Sequence, residues 1–336
     1  MSVECSVTYT IGPYEIGVRA QQQRRATVSG YVFADTNRQI QWLVNQTQYP
    51  VLVYYSVARA ALDIPLRIHD SQHSSPVDAY EGALDGSDRN FRAFFEWYRD
   101  REDLENESRQ EAGFRPDPQL QAVRTAVEKF MPGYTRLRVR RSPLRMTVMK
   151  GAQEVQVTQL SDGEKCLLAL VGDLARRLAL ANPEAESPCD GTGVVLIDEI
   201  ELHLHPRWQR SVIPNLEKTF PNCQFIVTTH SPQVLADVGP GAVVVLEPDA
   251  DGNVVAKRAK SPLGHDSNYI LEVLMGVSER PQALAEELER LFALIDDNDL
   301  AEAKKLRASI IEKWNADIPA LTKAEVAIQR KERFAK

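Results

Sequence analysis

The chain has 336 residues, 43% of them hydrophobic and 26% charged, with a formal net charge of −7. That length accommodates one large or two smaller domains with a sizeable core, and the acidic balance argues against a whole-surface nucleic-acid binder, so any such contact has to be local. No run of about 18 apolar residues and no charged-then-apolar leader occurs, which speaks against a membrane span or a secretory signal, and Cys5, Cys166, Cys189 and Cys223 lack C-x-x-C spacing, so a reducing cytoplasm fits better than a disulfide framework or a zinc site.

Residues 3 to 10 and 27 to 34 alternate or run apolar in short β-like stretches, and Pro50-Val51-Leu52-Val53-Tyr54-Tyr55 reads as a buried strand. A sheet is therefore expected to be under way from residue 1, with strands of a first segment over 1–63. From Ile64 to about Arg115 the composition turns polar and charged. It carries a helix-like aromatic piece at Phe91, Phe94, Phe95, Trp97 and Tyr98, then the acidic-basic stretch Asp100 to Glu111. We expect a helical insertion or arm over 64–134, solvated rather than catalytic. Within it Asp117-Pro118 opens an amphipathic helix, aspartate as the cap and proline at the first position, with Leu120, Val123, Val127 and Phe130 on one face. Pro132-Gly133 stops it.

Arg136, Arg138 and Arg140 then alternate with Leu137 and Val139, which is strand periodicity with one basic face, and Arg141 and Arg145 extend the positive cluster. One reading is a groove for the phosphates of a nucleotide or nucleic acid. The other, favoured by the negative net charge, is a solvated face paired with nearby carboxylates.

Leu160-Ser161-Asp162-Gly163-Glu164-Lys165 feeds a helix whose apolar positions Leu167, Leu168, Leu170, Val171, Leu174 and Leu178 follow a 3.6-residue period. A phosphate at that turn meets free backbone N–H groups and the positive end of the helix dipole. Ser161 adds a hydroxyl, and Gly163 permits close backbone approach. Taken alone, the same residues make an ordinary capped helix. Cys166 reads as a small packed residue.

Gly193 to Glu199 is an apolar β-branched run ending in two carboxylates, so both sit at the carboxyl end of a buried strand, where open α/β sheets place ligands. Asp198 is the candidate for Mg²⁺, and Glu199 for polarising an attacking water as general base. Cys223-Gln224-Phe225-Ile226-Val227-Thr228-Thr229-His230 reads as a second buried strand with its polar residues at the same end, where His230 can sense a γ-phosphate. Between them, Ile200 to Pro206 carries His203 and His205; two histidines without a third spaced ligand make a loop role the better reading.

Val243-Val244-Val245-Leu246 is a further strand, Asp249-Ala250-Asp251-Gly252 a turn, and together with the preceding motifs they complete a segment over 135–260. In the tail, 261–336, Pro281 opens a helix with Leu284, Leu288, Leu291 and Ile295 on one face, and Asn298 or Asp299 caps another that runs to about Trp314. This helical tail reads as packing or partner docking.

Leu-Ser-Asp-Gly-Glu-Lys, Val-Leu-Ile-Asp-Glu-Ile-Glu-Leu-His-Leu-His-Pro and Phe-Ile-Val-Thr-Thr-His-Ser-Pro, in that order, resemble the signature loop, Walker B strand and switch histidine of the RecF/OLD/SMC-related branch of ABC-type ATPases. The chain is most similar there to the bacterial ATP-binding proteins that include Septu-type and retron-linked phage-defence ATPase subunits, over about Val51 to Asp237. The resemblance implies an α/β, ABC-type P-loop NTPase fold, a mixed sheet flanked by helices, with a helical insertion and a helical C-terminal tail. It implies ATP and Mg²⁺ as cofactors, with Asp198 on the metal, Glu199 and His230 catalytic, and Ser161, Asp162, Gly163, Glu164 and Lys165 acting on the nucleotide of a partner subunit. It also implies a homodimer or larger oligomer coupled to a nuclease or a nucleic-acid transaction in phage defence or DNA repair, with no membrane role.

One motif departs from that pattern. A P-loop of the form G-x-x-x-x-G-K-[ST] needs a lysine that reaches the β- and γ-phosphates, and no Gly-Lys dipeptide occurs in the chain, whose first lysine is Lys129. Gly12-Pro13-Tyr14-Glu15-Ile16-Gly17-Val18-Arg19 has the glycine spacing without the lysine and reads as a turn between two strands. Either the product is truncated at its N-terminus, which the strands between residues 3 and 34 favour, or it is a degenerate subunit lending signature and Walker B elements to a P-loop-bearing partner.

Overall fold

The computed structural model describes residues 3–11, 14–22, 49–57, 75–86, 89–109, 113–259, 261–277, 280–314 and 318–334. By its internal contacts the chain divides into two units, Met1–Asp237 and Val238–Lys336. In the first, β1 (Val3–Ile11) and β2 (Tyr14–Gln22) come first, then β3 (Val51–Tyr55), α1 (Arg89–Ser108), α2 (Pro118–Phe130), β4 (Tyr134–Arg141), β5 (Leu144–Lys150) and β6 (Gln153–Gln156). They are followed by α3 (Asp162–Ala181), β7 (Gly193–Ile197), α4 (Pro206–Thr219), β8 (Cys223–Val227) and the short α5 (Pro232–Leu235).

β1 and β2 pair only with each other among the described strands, antiparallel with Ile11 opposite Tyr14. A sheet is thus under way from the first described residues, and the short connection between the two strands favours hairpin pairing over a crossover. Tyr14 to Arg19 is strand; Gly12-Pro13 and the apolar stretch over 27–34 lie outside the described residues.

The central sheet runs β3-β7-β8, all parallel, with Val51 opposite Gly193 and Gly193 opposite Cys223. Parallel neighbours require long crossovers. β7 is the middle strand, and its continuous Gly-Val-Val-Leu-Ile run is the pattern of a strand covered on both faces. β8 is half-buried rather than buried as expected: it lies at the end of the sheet, and Gln224 and Ile226 alternate outward into solvent. The antiparallel strands form a separate sheet, β4-β5-β6.

The aromatic piece is not a solvated arm. Phe91, Phe94, Phe95, Trp97 and Tyr98 are at most 2% exposed and belong to the main core, because their spacing puts them on one side of α1. α1 packs so closely on α3 that a Cβ on Gly172 would stand 2.7 Å from the Phe94 ring. The charged half of α1 is anchored too, since Glu102 and Glu105 are buried and the Arg124 guanidinium reaches both. α2 starts as the sequence indicates, Asp117 accepting from the Gln119 and Leu120 amides and Pro118 at the first position.

α3 is buried nearly all round, polar residues included. Inside the core the Asp173 carboxylate accepts from the Tyr55 hydroxyl at 2.9 Å and pairs with Arg176 and Arg177, each at 2.7 Å. Arg177 also donates to the carbonyls of Ala79 and Glu81. Burial alone would raise the Asp173 carboxyl, but the two guanidiniums hold it below the ordinary carboxylate range.

The second unit opens with a hairpin of β9 (Val244–Pro248) and β10 (Val254–Arg258), turned by Asp249, whose carboxylate accepts from the Asp251 and Asn253 amides. This hairpin thus falls on the other side of the division from the residues it was grouped with over 135–260. A short helical segment, Ser267–Tyr269 continued by Ile270–Leu274, comes next, and then the longer helices α6 (Gln282–Asp296), α7 (Leu300–Trp314) and α8 (Pro319–Phe334). Leu284, Leu288, Leu291 and Ile295 of α6 enter a core of their own with Ala303, Ile310, Leu321 and Ile328. Pro281 stands at the cap of α6, one place before its first residue, and Asp299 supplies its carboxylate to the start of α7.

Removing Asp173 strands two buried guanidiniums without a counter-charge. Asp173→Ala is expected to cost about 3–5 kcal/mol, read as a fall in the denaturant midpoint, whereas Tyr55→Phe loses one neutral donor and costs about 1 kcal/mol.

Candidate functional site

The ends of β7 and β8 lie side by side because the two strands are parallel and in register, Ile197 opposite Val227. The residues that follow are tied together by a single side chain. The Thr228 hydroxyl donates to the Asp198 carboxylate and accepts from the Glu199 amide at 2.8 Å, while its own carbonyl accepts from the Ile200 amide at 3.1 Å. Asp198 is also anchored on the other side, its amide donating to the Tyr55 carbonyl at 2.9 Å. Glu199 holds a left-handed backbone, φ 44°, a conformation that costs a non-glycine residue free energy and is sustained here by those bonds.

From Glu199 the chain turns through Leu202, whose amide donates back to the Glu199 carbonyl, and through His203, also left-handed at φ 62°. His203 is exposed, and His205 caps α4 by accepting from the Arg207 amide at 3.2 Å. Both histidines thus have the loop role. Among the described residues no group of three or more His, Cys, Asp or Glu is placed to hold a metal ion, and a Mg²⁺ site needs none, since that ion takes one or two carboxylates and otherwise water and phosphate oxygens.

His230 is exposed at the end of β8, and its backbone N–H donates to the Glu201 carboxylate at 2.6 Å. The second Glu201 oxygen is buried. Ser231 then caps the short helix and donates to Gln209 of α4 at 2.7 Å.

The start of α3 packs on this loop. A Cβ on Gly163 would lie 2.5 Å from the His203 carbonyl oxygen, so only glycine lets the two backbones approach. Asp162 is already the first helical residue, and Ser161 is its cap in a reciprocal box with Glu164. The Ser161 oxygen accepts from the Glu164 amide at 3.4 Å, and the Ser161 side chain also bonds the Glu164 carboxylate. Glu164 is held from behind by Lys150 at 2.8 Å and by the Tyr134 hydroxyl. Partial burial would raise its carboxyl, but the hydrogen bonds from Lys150, Tyr134 and Ser161 outweigh this and hold it down to about 2. Lys165 pairs with the exposed Asp162 at 3.1 Å, and Cys166 is a buried packing residue.

Asp198, Glu199 and His230 are therefore brought to one end of one sheet, and the Ser161–Lys165 turn rests against the loop that leaves it. Thr228, Glu201, Tyr134 and Lys150 were not singled out by sequence reasoning. Thr228 stands two places before the histidine in the quoted motif, but nothing in a sequence tells which of two adjacent threonines faces the neighbouring strand. Of the arginines on β4 and β5, Arg140 forks onto Glu154 at 2.8 and 2.9 Å, and Arg141 pairs with Asp103 and Glu102. The paired-face reading holds for those two. Arg138 is exposed, and its charge adds to the field that lowers the Glu154 carboxyl.

A parallel α/β sheet whose central strand ends in Asp-Glu beside a strand ending in Thr-Thr-His, with helices packed around it, is a fold of the P-loop NTPase class. The chain belongs to the family described as "AAA domain, putative AbiEii toxin, Type IV TA system", which matches residues 55–236. It is similar to the "Retron Ec83 probable ATPase" of Escherichia coli, 41% identical over 216 residues that make up 63% of this chain and 39% of that protein. It is similar also to the "Septu protein PtuA" of Bacillus mycoides (strain KBAB4), 32% identical over 152 residues, 45% of this chain and 21% of that one. The chain thus spans well under two thirds of the length of these curated relatives, and both the retron-linked and the Septu-type resemblance are met. Among solved structures, the SMC head domain from Thermotoga maritima aligns with a TM-score of 0.37 at 13% identity, covering 77% of this chain and 74% of that one.

Because the folded Glu164 carboxyl lies at about 2 against an ordinary 4.5, its contribution to stability is complete above pH 4.5 and is lost as pH falls from there toward 2. Glu164→Gln is expected to lower stability at neutral pH and to flatten that acid limb, measured by urea unfolding at a series of pH values.

Proposed function

We propose that this chain works as one half of a composite ATPase site, hydrolysing ATP across a dimer. The observation that carries the reading is the convergence of Asp198, Glu199 and His230 at the carboxyl end of the parallel sheet, locked there through Thr228. Asp198 and the Thr228 hydroxyl offer hard oxygen donors that suit Mg²⁺ and its water shell, and the ion when bound would neutralise phosphate charge. Glu199, on its left-handed backbone, is the general base that takes a proton from the attacking water. His230 offers an exposed imidazole for a γ-phosphate, and Glu201 fixes the backbone from which that imidazole projects.

The Ser161–Lys165 turn forms the second surface, directed at the nucleotide of a partner subunit. Ser161 contributes its hydroxyl and Gly163 its close backbone approach. Asp162, Glu164 and Lys165 shape the charge around them. A homodimer or larger assembly in the cytoplasm, coupled to a nuclease or nucleic-acid transaction in phage defence or DNA repair, completes this reading. Its support is the similarity to the retron and Septu proteins.

A second reading, a non-hydrolysing subunit that lends these elements to a P-loop-bearing partner, is favoured by one observation: no Gly-Lys dipeptide occurs in the sequence. Mg²⁺-dependent ATP turnover, measured for the chain by itself, joined to a P-loop and mixed with a P-loop-bearing subunit, separates the two. The first reading expects turnover once a P-loop is joined to the chain, lowered by about 10²–10⁴-fold in Glu199→Gln with ATP binding retained. The second expects none from the chain alone and stimulation of the partner that disappears in Ser161→Arg. Turnover indifferent to both substitutions overturns both.

A further inference from the structure

The outer face of the β4-β5-β6 sheet carries an unusual charge pattern for a chain of net charge −7. Val139, Met146 and Val148 point into the core. By alternation, Arg138 and Arg140 of β4 and Arg145 of β5 share the opposite face. The register sets Arg140 directly across from Arg145, a like-charge pair that destabilises a sheet unless something else compensates it. Glu154 of β6 is the carboxylate on that face among the described residues, and both its oxygens are engaged by Arg140. Arg138 makes no ion pair of its own among the described residues and adds its charge to the field that lowers Glu154, and Arg145 donates to the Pro143 carbonyl at 3.1 Å. Three guanidiniums against one carboxylate leave a local positive excess on an otherwise acidic protein.

We propose that this face is a docking surface for the sugar–phosphate backbone of duplex nucleic acid, gripped by Arg138, Arg140 and Arg145. Planar guanidiniums fork onto phosphate oxygens. Residues two apart on one strand present their side chains about 6.8 Å apart, so the two arginines of β4 reach successive positions along a polyanionic backbone. The face carries no aromatic residue, so the base stacking that holds single strands is not on offer, and an intact duplex contacted through its phosphates is the better fit. Its apolar content is the half-buried Met149, too little for the apolar centre that a protein interface uses. The same two strands also hold the start of α3 from their other face, through Tyr134 and Lys150 on Glu164. The proposal does not rest on the ATPase reading and is tested without nucleotide.

The test is fluorescence anisotropy of a short fluorescein-labelled DNA duplex with the full chain, between about 50 and 200 mM salt. Three phosphate contacts give a log–log salt slope of about −2.7, or a roughly 40-fold loss of affinity over that range. Replacing both unpaired cations, Arg138→Glu with Arg145→Glu, is expected to weaken low-salt binding strongly and to reduce the slope to about −0.9. Glu154→Gln keeps an acceptor for Arg140 and the Thr147 hydroxyl while removing the opposing charge, and should tighten binding. It decides the matter if the double variant does not fold. Salt-insensitive binding, binding unchanged by the double variant, weaker binding by Glu154→Gln, or displacement of the duplex by polyglutamate at equal charge would each overturn the proposal, the last by assigning the face to an acidic protein.

Discussion

A carboxylate at the centre of the core sets the geometry of the first unit. Asp173 is fully buried between two guanidiniums and a phenol, an arrangement that survives in a low-dielectric interior only because each charge has a partner. Its partners lie on different elements. Tyr55 ends β3, and Arg177 continues to the carbonyls of Ala79 and Glu81, so the network fixes the long axis of α3 against the first strand of the sheet and against the turn beyond it. An apolar core of the same volume could pack as well, but it would let the helix slide. Ion pairs with directional hydrogen bonds do not.

Because α3 cannot slide, its first turn arrives at one place, against the loop that leaves β7. Two independent features show how close that fit is. Gly163 has no room for a Cβ against the His203 carbonyl, and Glu199 and His203 both take left-handed backbones to turn the loop beneath it. Strain of this kind costs on the order of 1–3 kcal/mol per residue and persists only where surrounding bonds over-determine it. Thr228 and the Leu202 amide supply those bonds around Glu199.

Much of this was legible beforehand, for definite reasons. Helix caps are local, so Asp117 and Ser161 could be read from a few residues and a third cap narrowed to Asn298 or Asp299. The three motifs are short and their polar residues cluster at strand ends, so the meeting of Asp198, Glu199 and His230 followed once the strands were parallel. The misjudged pieces depended on distant partners. Glu102 and Glu105 look solvated in a charged run, and only Arg124, on the next helix, makes them buried residues. β8 looks buried because Phe225, Ile226 and Val227 are apolar, and its half-exposure follows from its place at the end of the sheet, which composition does not reveal.

The first turn of α3 also resolves an apparent conflict. Asp162 and Glu164 put two negative charges where the helix dipole would otherwise welcome an anion, and in isolation they would repel a phosphate as effectively as the dipole attracts one. Each charge is answered at close range, Asp162 by Lys165 and Glu164 by Lys150 with Tyr134. The carboxylates can therefore close the capping box and complement the dipole without leaving a net negative field at the turn. Of the two answers, the Lys150 one is structural, reaching in from another sheet and holding Glu164 in its charged form. The Lys165 one ends on Asp162, whose side chain is 74% exposed. An anion approaching the Ser161 hydroxyl would compete with Asp162 for Lys165 and leave the capping box intact, so the helix start can change ligands without unwinding.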